Sequence, residues 1–152
     1  MCGIDIILGL WKSGFIESED VVKWADEKIL KIEEVPDALI TLSLKGPYFC
    51  SKLPSYEFPP AITFSFSECF LLRLSKIDLN SKSEVEEFIE WAANSSRGLD
   101  YKVPEVFFGM YVSDLWDQEG NLVAAHIYAN ENLPNFIQKS IILEAELGER
   151  YA

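Results

Sequence analysis

Apolar residues recur along most of the chain at steps of three and four, the spacing that gathers them on one face of an α-helix. Val21, Val22, Ala25, Ile29 and Ile32 keep this rhythm behind Ser18, a good capping residue. Glu19 and Asp20 come next, acids that suit the positive end of a helix. Pro36 fits the first turn of a second helix carrying Leu39, Leu42 and Leu44, which Gly46 and Pro47 stop. From Gly46 to Pro60 the prolines Pro47, Pro54, Pro59 and Pro60 predict a loop, with Tyr48, Phe49, Tyr56 and Phe58 pinning it to the body.

Beyond the loop, Phe66, Phe70, Leu74 and Ile77 again take helical steps, and Ser65 or Ser67 can cap them. Ala61 to Phe66 alternates instead, with Ile62, Phe64 and Phe66 on one side, which leaves room for a short strand before a helix that starts near Ser67. The clearest helix lies just beyond. Ser81 with Glu84, or Ser83 with Glu86, makes a capping box. Val85, Phe88, Ile89 and Ala92 form the apolar face, Glu84, Glu87 and Glu90 lie opposite beside Trp91, and Asn94 to Gly98 end the helix.

Pro104 opens a fifth helix through Val106, Phe107, Met110, Tyr111 and Leu115, although Gly109 weakens it. Asp117, Gly120 and Asn121 read as a turn. Leu122 to Ala129 reads as a short helix, with a hairpin against 106–115 as the alternative. Pro134 opens a last helix through Ile137, Ile141, Ala145 and Leu147. The sum is a mainly α, single-domain fold over residues 1–152. It is a helical bundle or irregular array of about six or seven helices, with room for one short strand or hairpin.

Composition narrows the function. Half of the 152 residues are hydrophobic, with ten Phe, six Tyr and four Trp, which excludes a disordered chain. The net charge of −12, from 25 acids against 13 bases, repels nucleic acid and anionic membranes and speeds encounter with basic partners. Cys2, Cys50 and Cys69 are too few and too irregular for a disulfide framework, and Cys69 sits in an apolar run that suits a reduced core thiol. No basic segment precedes an apolar stretch at the start, and no apolar run approaches a membrane span, so the expectation is a cytoplasmic protein.

Motifs for phosphate, dinucleotide or nucleophile-elbow chemistry are absent from the sequence, and no cofactor is expected. His126 is the sole histidine, too little for a zinc site, and reads as a partly buried, hydrogen-bonded side chain. Asp117 to Asn121 lacks the spacing of a calcium loop. The catalytic lead is Cys2, which removal of Met1 would leave as an N-terminal thiol with its own α-amine as base. Cys2-Gly3-Ile4 resembles the processed start of class II glutamine amidotransferase domains, and Arg97-Gly98-Leu99-Asp100 is similar to their glutamine-holding segment. That family also needs an Asn-Gly pair for its oxyanion hole and a sheet-rich fold; this chain has no Asn-Gly and reads as helical.

Aromatics stand beside acids at Trp24, Trp91, Tyr111 and Trp116, a combination that can anchor a protein interface and pair with basic side chains. Val22-Lys23-Trp24-Ala25-Asp26, Ile29, Pro36, Leu39 and Leu42-Ser43-Leu44, with Phe108-Gly109, Asp114 and Ile137 to Glu144, resemble small bacterial proteins of the immunity kind from contact-dependent and polymorphic toxin systems. The resemblance implies a protein that neutralises a cognate toxin domain, often a basic nuclease. It carries no functional residues of its own. Charge and aromatic content select Asp114, Trp116, Asp117 and Glu119 on one segment and Glu84, Glu87, Glu90 and Trp91 on another as partner-binding residues. A cysteine-nucleophile enzyme and a generic protein-binding adaptor are the alternatives.

Overall fold

A computed structural model describes residues 3–119 and 122–152, with the backbone only at 118 and 119. The fold is mainly α. Among the described residues the helices are α1 (Ile4–Lys12), α2 (Ser18–Lys31), α3 (Asp37–Ser51), α4 (Phe66–Leu74), α5 (Lys82–Ser95), α6 (Pro104–Glu119), α7 (Val123–Asn132) and α8 (Ile137–Tyr151). A short 3-10 turn at Leu133–Phe136 precedes α8. The chain divides into two compact units, Met1–Thr63 with Leu147–Ala152, and Phe64–Glu146.

In the first unit, α1 is apolar on nearly every side, and Ile4, Ile6, Ile7, Leu8 and Leu10 are all buried. The helix is only nine residues long, and its adjacent Ile6, Ile7 and Leu8 read equally as a strand or a helix, which is why the spacing of residues did not announce it. α2 is capped one residue earlier than Ser18 suggests. Glu17 is the capping residue, and its N–H donates to the Asp20 carboxylate at 2.9 Å. The Ser18 hydroxyl instead accepts from the Trp11 indole at 3.0 Å. The chain end is tied to the same helix: the Trp24 indole donates to the Tyr151 carbonyl at 2.9 Å, and the Lys28 ammonium donates to the Ala152 carbonyl oxygen.

α3 corrects the expected loop. Gly46 breaks the helix with φ 81° and ψ 169°, but Pro47 restarts it, because a proline's fixed φ and missing donor suit a first helical turn. The restarted turn carries Tyr48 and Phe49 outward. They and Tyr56 are exposed, and only Phe58 is buried, so the aromatics as a group do not pin this segment. Lys52 and Lys45 lie over the Tyr48 and Phe49 rings, 4.2 and 5.8 Å from the centroids.

The second unit is built around Phe70. Its ring meets those of Phe88, Phe108 and Phe136 edge-on at centroid distances of 4.9, 5.4 and 4.9 Å, inside a core that includes Leu71, Val85, Ile89, Val112, Ala125, Ala129 and Leu133. The strand allowed for at Ala61–Phe66 is absent; Ile62 N–H donates to the Asp5 carbonyl of α1 at 3.0 Å, and the chain enters α4 at Phe66. A full capping box at Ser65 and Glu68 starts that helix, with Ser65 N–H donating to Glu68 at 2.9 Å and Glu68 N–H donating to Ser65 Oγ at 3.1 Å. Ser81 caps α5, and Gly98, with φ 77°, lies in the turn beyond its end. Thus Arg97 to Asp100 is the exit from a helix. α6 and α7 are both helical where a hairpin was the alternative.

Gly109 stands inside α6 because nothing larger fits. A Cβ there would lie 2.6 Å from the Ala92 carbonyl oxygen and 2.6 Å from Ser96 Oγ, both contributed by α5 and its end. The glycine therefore sets how closely α5 and α6 approach, and through that the shape of the surface they share. The Glu105 carboxylate, buried in the first turn of α6, pairs with Lys139 of α8 at 3.5 Å. No described helix is long and apolar enough to cross a membrane.

Candidate functional site

Where α5 and α6 run side by side, a recess of about 220 Å³ opens on the second unit. Glu90, Asn94 and Arg97 line it from α5 and its end, one turn apart each. Ser113, Trp116 and Asp117 line it from α6. These positions fall on the two helix stripes that flank the close contact at Gly109, so the spacing that buries one face presents the next. Glu90, Arg97 and Asp117 are exposed, and Trp116 is half-buried with part of its ring against the core.

The recess brings together three of the eight residues selected from the sequence: Glu90, Trp116 and Asp117. Asp114 is exposed on α6 but does not line it. Glu87 is exposed and stands apart, and Glu84 is half-buried at the start of α5, where its carboxylate accepts the Asp78 N–H at 3.5 Å. Trp91 belongs to a different face. It stacks on Phe66 at 5.2 Å with the rings 3° from parallel, and the Arg73 guanidinium lies 4.5 Å from its centroid. The Glu119 side chain, the Gly120–Asn121 turn and Cys2 lie outside the described residues.

Chemically, the recess offers two carboxylates that accept hydrogen bonds and an aromatic ring held by the core. A guanidinium sits in the same lining and offsets part of their charge. Among the described residues no group of three or more His, Cys, Asp or Glu is arranged to hold a metal ion.

Two further features escaped the sequence. Tyr111 of α6 stacks on Tyr128 of α7 at 4.5 Å, with Phe107 5.7 Å from Tyr111, making an aromatic surface beside an open groove of about 520 Å³. Burial pushes the Tyr128 hydroxyl above its ordinary pKa, and Tyr111 adds to the shift. Only the one-turn spacing of Phe107 and Tyr111 hinted at this; the third ring comes from a different helix. His126 is half-buried as expected, but its Nδ1 is sealed from solvent with no hydrogen-bond partner, contrary to the expectation of a hydrogen-bonded ring.

At the chain start, Gly3 is buried, and a Cβ on it would lie 2.6 Å from Tyr151 Cα. No family model matches the chain, and no curated protein or solved structure is significantly similar to it.

Proposed function

We propose that the protein is a binding protein of the immunity type, which neutralises a basic, nuclease-type toxin domain in the cytoplasm. The observation that carries the reading is the α5–α6 recess, where Glu90 and Asp117 flank a half-buried Trp116 in a chain of net charge −12. A half-buried tryptophan loses little freedom on binding and offers the kind of anchor that dominates interface energies. The carboxylates stand in for phosphates, drawing in lysines and arginines that would otherwise meet nucleic acid. The general acidity raises the encounter rate, and the recess fixes the register.

The test is calorimetric titration against the product of the neighbouring gene at low and high salt. Nanomolar binding that salt weakens is the expected result. Charge reversal of Glu90 and Asp117 together is expected to weaken binding by at least about tenfold, as loss of charge-assisted contacts does. Reversal of Glu87, outside the recess, is expected to change it little. Equal affinity for the parent and the double variant would remove the recess from the interface, and absence of any binding would end the immunity reading for that gene pair.

A further inference from the structure

A larger cleft of the second unit lies elsewhere, along the outer face of α7, with a volume of about 670 Å³. That is within the range of small-molecule sites. Among the described residues its polar lining is Asn80, Lys82, His126 and Asn130, and its apolar walls include Leu79 and Ile127. None of the described residues lining it is a carboxylate, although the chain has 25 of them.

Two groups in the cleft have capacity left for a ligand. The Lys82 side chain is 81% exposed, and its ion-pair partner, Glu86, is 4.0 Å away, at the outer limit of such a contact. Lys82 is also the first residue of α5, so the positive end of that helix adds to its field. His126 has its Nδ1 buried without a partner. With Nδ1 sealed away, Nε2 is the ring nitrogen through which His126, as a lining residue, can serve the cleft. The cleft thus offers a cation, an imidazole nitrogen and two amides beside apolar walls.

We propose that this cleft binds a small organic monoanion, a carboxylate with a short apolar body. The carboxylate accepts from the Lys82 ammonium and the His126 Nε2–H, the amides of Asn80 and Asn130 complete its hydrogen bonds, and the body lies on Leu79 and Ile127. One lysine without an arginine suits a single negative charge. A dianion would meet the same lone cation against the field of the whole chain.

The sole histidine gives the test a clean reporter. Hexanoate is titrated into the intact protein while the His126 imidazole resonances and the α7 amide resonances are followed. Hexanol and hexylamine serve as the uncharged and cationic probes. The expected result is saturable, millimolar-range binding of hexanoate at these resonances, with hexanol and hexylamine at least about tenfold weaker. Lys82→Glu is expected to weaken hexanoate binding by a similar factor. This variant keeps the fold, since the side chain is exposed and an acid is favoured in the first turn of a helix. Absence of saturable shifts with hexanoate, equal binding of all three probes, or undiminished hexanoate binding by Lys82→Glu would each overturn the proposal.

Discussion

Gly109 and Gly148 both sit inside helices, yet the same substitution should act on them in opposite directions. A methyl group at Gly109 would meet the Ala92 carbonyl at 2.6 Å, and a backbone oxygen within a packed helix cannot swing aside. A methyl group at Gly148, in α8, would meet nothing within 4 Å. Alanine is favoured over glycine in a helix by about 1 kcal/mol, so Gly148→Ala should stabilise by roughly 0.5–1 kcal/mol. At Gly109 overpacking outweighs that gain, and Gly109→Ala should destabilise by about 1–3 kcal/mol. Urea denaturation of both variants reads the two signs directly. If Gly109→Ala were neutral, α5 and α6 could separate freely, and the recess they share would have no fixed shape.

At the scale of the element, α3 shows where reading a sequence stops short. Gly46-Pro47 is a genuine break, and the dipeptide says so. Whether a helix resumes after a break depends on whether the chain beyond it finds a surface to pack on. Pro47 and Cys50 are buried, which holds the next turn in a helix that the prolines alone would not predict. Gly46 itself adopts φ 81° and ψ 169°, a region nearly closed to any residue with a Cβ. Gly46→Ala should cost about 1–3 kcal/mol although a Cβ there would touch nothing within 4 Å. A denaturation midpoint unchanged from the parent would contradict that account of the break. The amphipathic helices α2 and α5 were legible because each has one wet face and one dry face. α1 was not, because its short apolar run of Ile6, Ile7 and Leu8 fits a strand as well as a helix. The candidate site was legible only in part for a related reason. Charge and aromatic content name residues, but the meeting of Glu90 with Trp116 and Asp117 depends on α5 and α6 packing closely at Gly109. That contact is encoded across 17 positions, from Ala92 to Gly109 (109 less 92), and no local pattern shows it.

For the molecule as a whole, the three groups whose proton affinity the fold raises point to the alkaline side. Burial raises the pKa of Cys50. Burial also raises that of Cys69, where Arg73 opposes the shift and Glu68 adds to it. Tyr128 is raised by burial and by Tyr111. In each case the neutral, protonated form is the one the folded state prefers. The folded protein therefore holds these protons to higher pH than the unfolded chain does, and stability falls with rising pH once the unfolded groups begin to ionise. The thiol contribution is complete below the ordinary value of 9.0 and is lost as pH climbs through the raised folded values; the Tyr128 contribution starts to fall above 10.0. Ionisation also adds negative charge to a chain already at −12, so self-repulsion works in the same direction. Denaturation midpoints should stay level from about pH 7 to pH 8.5 and decline steadily above about pH 9. The double variant Cys50→Ala with Cys69→Ala separates the two causes. Cavities left by the lost sulfur atoms lower its stability at every pH, but the decline just above about pH 9 should become shallower. An equally steep decline in the double variant would assign the alkaline loss to repulsion across the surface, with no part for the two thiols.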